Sequence, residues 1–333
     1  AVFNPIVWNN IDFMPKAILC NSNEGLSSLR LEMISSPQVK ADEVRIAVRY
    51  AGVNFPDTLI IQGKYQFQPE YPFSPGQEVS GEVLEVGNDV THVKEGDFVL
   101  ASMTWGGYAE ETVAHKDNTY LLPPVVSFEQ GAALLETYGT AIHALKDRGS
   151  LTAGETLVVL GASGGTGSAA VQLGKVMGAK VVAVCSTAAK REAVLSNGAD
   201  AAIGYDDLKN QLKQFKVDVI FDPVGGDASE QAFRALRPNG RHLVVGFASG
   251  KIPTIPFNLP LLKSASVVGV FWGSFWRTNP LANRSNINMV LKWLAQKEID
   301  VAISQTMDLK EAKHALEILM TREAIGKTVL KVR

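Results

Sequence analysis

The chain has 333 residues, too many for one small domain and suited to two. Hydrophobic residues make up 46%, enough for a large core, which argues against disorder. Lys and Arg number 32 against 34 Asp and Glu, a net charge of −2 with no basic block or stripe, which argues against nucleic acid as a partner.

The chain opens Ala1-Val2-Phe3-Asn4-Pro5, without the basic start and long apolar core of a signal peptide. No later apolar run is long enough to span a bilayer. Two cysteines, Cys20 and Cys185, exclude a disulfide scaffold and a four-cysteine zinc site. A cytoplasmic protein is expected. The first third is rich in β-formers. Residues 44–50 alternate apolar and charged side chains, as a half-buried strand does. Residues 82–86 repeat the pattern before the turn Gly87-Asn88-Asp89, and Lys94–Asp97 turns into a strand at 98–100. Short strands at this spacing predict a small barrel or a strongly curled sheet.

The texture changes at Ser127-Phe128-Glu129-Gln130, a capping box that opens a helix. Apolar strands at 156–160, 180–184, 217–221 and 242–245 then alternate with helices stopped by Gly178 and Gly198. That pattern predicts a parallel sheet covered on both faces. From about Asn283 the tail reads helix, strand, helix, strand, with an amphipathic helix at 310–320 and a last strand at 327–332. It is expected to return to the first domain. His143, His242 and His314 lie in helix or strand patterns and read as structural.

Between the strand at 156–160 and the next helix stands Gly161-Ala162-Ser163-Gly164-Gly165-Thr166-Gly167. Against the pattern G-x-G-x-x-G, Ala162 takes the first position, Gly164 the second and Gly167 the third. Gly164 lets the backbone approach a pyrophosphate, and Gly167 lets helix and strand pack closely. Ser163, Gly164, Gly165, Thr166 and Gly167 are therefore candidate cofactor contacts at a helix N-terminus. The following strand ends in Cys185-Ser186-Thr187 and carries no acid to hold a ribose 2′-hydroxyl. Ser186, Lys190 and Arg191 would instead attract a 2′-phosphate, which favours NADPH over NADH; the plainer alternative is that Lys190 and Arg191 form the solvated face of the next helix.

With these residues in place, the chain resembles the medium-chain dehydrogenase/reductase superfamily. Within it the chain is most similar to the zinc-free quinone oxidoreductase, or zeta-crystallin-like, branch. The resemblance rests on residues 52–57 (Gly-Val-Asn-Phe-Pro-Asp), 63–65 (Gly-Lys-Tyr), 75–81 (Pro-Gly-Gln-Glu-Val-Ser-Gly), 106–110, the 161–167 loop and 222–226 (Asp-Pro-Val-Gly-Gly). It implies an α/β protein: a GroES-like, β-barrel-type catalytic domain at 1–128 and 279–333, and a doubly wound Rossmann domain at 129–278. The cofactor would lie in the cleft between them. Zinc-dependent relatives use Cys, His and Cys at three positions where this chain has Asn54, Gln77 and Ala132-Ala133. Without thiolate or imidazole there, no catalytic zinc is expected, and reduction of a conjugated acceptor replaces alcohol oxidation.

The resemblance also implies site residues. Tyr65 and Asn54 become candidate catalytic and nicotinamide contacts, through a phenol and an amide that can donate hydrogen bonds. Asp57 is a third catalytic candidate, favoured as an orienting group. A loop-packing Tyr65 and a turn-forming Asn54 are the plainer alternatives. Thr137 and Tyr138 follow a helix facing the cofactor, and Tyr205 falls near the adenine. Two loops at the C-terminal ends of parallel strands, Gly246-Phe247-Ala248-Ser249 and Val270-Phe271-Trp272, would touch the nicotinamide half. The aromatic run 271–277 could stack a planar substrate, but it reads more readily as core or interface. Relatives pair the edge strand near Ser266–Val270 across a dimer axis, which predicts a homodimer. The expected activity is NADPH-dependent reduction of quinones. The rivals are reduction of the C=C bond of α,β-unsaturated ketones, aldehydes or acyl thioesters, and an NADPH-binding structural or RNA-binding protein with little turnover.

Overall fold

Two β-sheets organise the chain in the computed structural model, which describes residues 14–321 and 326–333. The chain start read above for a signal peptide lies outside the described residues.

The first sheet grows around one long strand. After a hairpin of β1 (Lys16–Cys20) and β2 (Leu29–Met33) come β3 (Glu43–Gly52), β4 (Glu78–Val86), β5 (Phe98–Ser102), β6 (Glu111–His115) and β7 (Thr119–Leu121). In β3 the apolar positions Val44, Ile46 and Val48 are fully buried. On the opposite face Arg45 pairs with Glu85 at 2.9 Å and with Glu111 at 3.3 Å. The period-two pattern thus sorts the strand between core and surface. Register shifts at Arg45/Ile46 and Val48/Tyr50 bend β3. Antiparallel to β4 along one edge, it pairs β6 along the other.

The second sheet comprises β8 (Thr156–Leu160), β9 (Lys180–Val184), β10 (Ala201–Ile203), β11 (Val217–Asp222), β12 (Leu236–Val244) and β13 (Ser266–Gly269). All neighbours are parallel, in the order β10-β9-β8-β11-β12-β13. The order reverses between β8 and β11, the switch point where ligands bind in doubly wound sheets. Strand β12 begins six residues before the sequence pattern indicates. Asn239, at φ 65°, lets residues 237–240 bulge outward while Leu236 still pairs Val217. The loop expected at 270–272 gives way at Trp272 to a helix, Trp272–Thr278, which takes in most of the aromatic run.

The tail follows the predicted order. Helix Pro280–Ala295 leads to β14 (Ile303–Asp308), helix Ala312–Met320 and β15 (Lys327–Lys331). Strand β15 runs antiparallel to β3 through Val329 and Gly52, and β14 lies beyond it. The last strand of the chain is therefore inserted into the first sheet. Residue 326, just before β15, bridges to Gly164 in the glycine-rich turn, and its N–H donates to Ser163 O at 3.0 Å. That contact fixes the first sheet against the second.

Candidate active site in the cleft

The glycine-rich turn adopts the geometry that its spacing predicts. Gly161 has φ 60°, so the left-handed turn that the pattern assigns to its first position falls one residue before Ala162. A Cβ on Gly167 would stand 2.2 Å from Gly161 O, so only glycine allows this approach of helix to strand. The helix Gly165–Val176 starts at Gly164, and the N–H groups of its first turn have no carbonyl of their own. A Cβ on Gly164 would meet only Gly161 O, at an ordinary 3.5 Å, so the face above the turn is open. A pyrophosphate fits this cradle of open backbone and unpaired donors.

Lys327 reaches the same place from the first sheet. Its Cδ lies 3.7 Å from the position of a Cβ on Gly165. Its Nζ donates to Glu78 Oε1 at 2.7 Å and to Asn54 Oδ1, while Asn54 Nδ2 donates to the same Glu78 oxygen at 2.9 Å. Lys327, Asn54 and Glu78 are all buried. Such an ion pair persists only because its geometry offsets the desolvation of both charges. The other Glu78 oxygen accepts the backbone N–H of Glu136 at 3.1 Å.

Asp57 lies beneath Asn54 and does not face the cleft. Its carboxyl accepts from Asn54 N at 2.9 Å, Gly76 N at 3.2 Å and the Tyr108 hydroxyl at 2.8 Å, and it is fully buried. Burial pushes its pKa up to about 7, against the lowering by Tyr108, Asn54 and Lys327. These bonds hold the start of the helix Phe55–Ile60, and through it Asn54.

Tyr65 stands at the mouth, half-buried, with the Gln77 side chain near its phenol. Burial, reinforced by Glu136, raises its pKa. Its ring meets Phe67 edge-on, and Phe67 stacks on Phe271 across the cleft with centroids 6.5 Å apart. The Arg277 guanidinium lies over Phe67 at 4.2 Å and over Trp276 at 4.3 Å, and donates to Thr104 Oγ1 at 2.7 Å. A cation and three rings thus join the two walls.

The remaining predicted residues divide by position. Thr137 lies inside the helical run 135–148 rather than after a helix, and its Cγ2 is 3.1 Å from the position of a Cβ on Gly165. Its turn is π-helical, a widened form often found at functional sites. Tyr205 accepts the Gly161 N–H at 2.8 Å, beside the turn. The Arg191 guanidinium folds over the end of β9, donating to Cys185 O at 3.3 Å and Ser186 O at 3.4 Å. Ser186 is exposed and Lys190 half-buried on the same edge. The loop 246–249 packs on the turn after β11, where Ser249 N donates to Val224 O at 2.8 Å. Trp272 parts from its neighbours. It is buried against Gly139, with its indole N–H on Asn283 Oδ1 at 2.8 Å, while Phe271 faces the cleft. Val270 is buried as well.

Sequence reading missed Lys327, Glu78, Glu136 and Arg277 as site residues. Lys327 shows only as the first residue of a strand. An ionisable residue opening a β run, directly after a glycine, is the one local signal it offers. Glu136 precedes the noted Thr137 and could have been found with it.

Comparison with known proteins agrees with this architecture. The family model for an alcohol dehydrogenase GroES-like domain matches residues 40–128, and that for a zinc-binding dehydrogenase matches residues 165–296. The chain is 36% identical to quinone oxidoreductase-like protein 2 of Bos taurus, over 98% of this chain and 95% of that protein. It is 33% identical to the quinone oxidoreductase of Sus scrofa, over 89% of this chain and 91% of that one. The crystal structure of Escherichia coli quinone oxidoreductase complexed with NADPH superposes with a TM-score of 0.88 at 29% identity, covering 95% of this chain and 100% of that one. Fold, cleft and matches together define an oxidoreductase of the medium-chain dehydrogenase/reductase superfamily. Within that superfamily the chain belongs to the zinc-free quinone oxidoreductase branch.

Proposed function

We propose that the protein is an NADPH-dependent, zinc-free reductase of quinones. The observation that carries this reading is the meeting, in one cleft, of the open helix start at Gly164–Thr166 with Asn54, Lys327 and Tyr65. Backbone donors of the turn would hold the pyrophosphate, with Tyr205 beside them. Ser186, Lys190 and Arg191 would hold a 2′-phosphate at the end of β9, where no carboxylate repels it. Thr137, Asn54 and the loops at 246–249 and 270–271 would flank the nicotinamide. When bound, NADPH supplies a hydride. The side chains here orient the acceptor and stabilise the negative charge that develops on its oxygen. Asn54 is fixed by Glu78, Lys327 and the Asp57-held helix start, so its amide is preorganised. Tyr65 offers a phenol to the acceptor carbonyl. Phe67 and Phe271 favour a flat acceptor, which is what a quinone is.

Two unpaired buried thiols, Cys20 and Cys185, suit the reducing cytoplasm. Among the described residues no helix is long and apolar enough to cross a membrane. The reading also includes a homodimer through β13, whose outer edge is unpaired and exposed among the described residues.

The test is the loss of reduced nicotinamide absorbance with an ortho-quinone, a para-quinone and an α,β-unsaturated ketone, using NADPH and NADH. Quinone turnover with NADPH preferred is expected. Arg191→Ala should reduce that preference roughly tenfold, the worth of one charge-assisted hydrogen bond. Turnover of the ketone alone would move the protein to double-bond reduction. Equal use of NADH would overturn the 2′-phosphate assignment.

A further inference from the structure

Glu136 is a carboxyl in the cleft that no side chain pairs among the described residues. It stands in the first turn of the helical run 135–148, one residue before Thr137, and is half-buried. Its backbone N–H is pinned to Glu78 Oε2 at 3.1 Å. Among the described residues no hydrogen bond or ion pair engages its own carboxyl. The charged and titratable groups around it are Glu78 on β4, Lys327 on β15, Arg277 on the helix Trp272–Thr278 and Tyr65, with the Asp57 carboxyl buried behind them beneath Asn54. Lys327 is engaged by Glu78 and Asn54, and Arg277 by Phe67, Trp276 and Thr104. Neither cation reaches it within ion-pair distance. Burial first, and then the Glu78 carboxylate, push it well above the ordinary carboxyl range.

We propose that Glu136 is the catalytic acid that delivers the proton to the reduced acceptor. The inference rests on the reductase reading above. A quinone that accepts a hydride gains two electrons and one hydrogen and is left with one anionic oxygen. The O–H bond of Glu136 breaks, an O–H bond forms on that oxygen, and the hydroquinone leaves neutral. Glu136 neither gains nor loses electrons, since reduced nicotinamide supplies both. The carboxylate regains its proton from solvent at the open side of the cleft. Tyr65 has a different part in this step. Its phenol starts near 10 and is raised further by burial and Glu136, so it holds its proton and donates a hydrogen bond instead. A carboxylic acid transfers its proton downhill to a phenolate-type oxygen.

The first measurement is infrared spectroscopy of the protein alone, uniformly labelled with 13C-glutamate. A carboxylic-acid C=O band at neutral pH that vanishes in Glu136→Gln, and in wild type at high pH, is expected. Its absence overturns the proposal, whatever the acceptor. In turnover, Glu136→Gln should keep NADPH affinity within twofold and lose about 100-fold in kcat at neutral pH. The loss should shrink at low pH, where hydronium can replace the missing acid. Glu136→Asp should recover part of the rate if Gln perturbs the fold. Wild-type turnover together with an unchanged rate and pH profile in Glu136→Gln would sink this proposal alone. A wild-type protein that turns over no acceptor would sink the reductase reading beneath it.

Discussion

At the scale of single residues, the cleft is governed by one buried ion pair. Glu78 has no exposure and Lys327 only 5%, so each depends on the other and on Asn54 for its hydrogen bonds. Removing one partner leaves a buried charge without compensation, which costs about 3–5 kcal/mol. Lys327→Met should lose that much stability in a urea titration. The double variant Glu78→Gln with Lys327→Met should recover most of it, because neither charge then remains. Equal stability of wild type and Lys327→Met would mean that the pair is solvated after all. Asn54 was a candidate from sequence as an amide facing the cofactor. The structure adds the reason its orientation is fixed, namely two bonds to a pair contributed by β4 and β15. Asp57 is locked under the helix start by Tyr108 and two backbone donors.

At the scale of elements, strand and helix patterns located most of the parallel sheet. Strands 156–160 and 180–184 stand where the apolar runs put them, and the helix after the glycine-rich turn stops at Gly178 with φ 85°. These features depend on neighbours in sequence, so they are legible there. The start of β12 was not, because its bulge is set by pairing to Val217. The same strand carries a clamp. Arg241 grips Glu155 in the loop before β8 with two bonds, 2.7 and 2.8 Å, and also donates to Gly149 O at 2.8 Å. The Arg241 hydrogen bonds hold Glu155 at about 2, below its ordinary 4.5. Because the folded value is the lower, the stability this adds is complete above about pH 4.5 and disappears as the pH falls through about 2. Glu155→Gln should therefore lower Tm at pH 7, with the gap to wild type closing in acid. A gap independent of pH would show that the clamp acts by packing alone.

At the scale of the whole molecule, the exposed apolar surface gathers beside β13. Phe257 is 93% exposed, Leu261 75% and Leu262 72%, and Val267 on the strand itself is also exposed. A free, apolar sheet edge invites pairing with a second copy. Sedimentation should show a dimer, and Leu261→Asp with Leu262→Asp should yield a folded monomer. A monomeric wild type would remove the dimer from the reading. Across the cleft, Phe67, Phe271 and Arg277 link the two sheets, so acceptor access and domain contact share the same side chains.

The sequence by itself determined the phosphate turn, the alternation of strands and helices, the missing thiolate and imidazole ligands, and the family these imply. Each is written in residues close together in the chain. The tertiary structure decided what the acceptor would meet. It turned Phe271 into the cleft and Trp272 into the core, although the two are adjacent, because only Trp272 has Gly139 beneath its ring. It brought Lys327 to Glu78 across 249 residues and set Glu136 beside Glu78. Burial and charge at such a site are sums over both walls of the cleft, and those walls meet only when the last strand enters the first sheet.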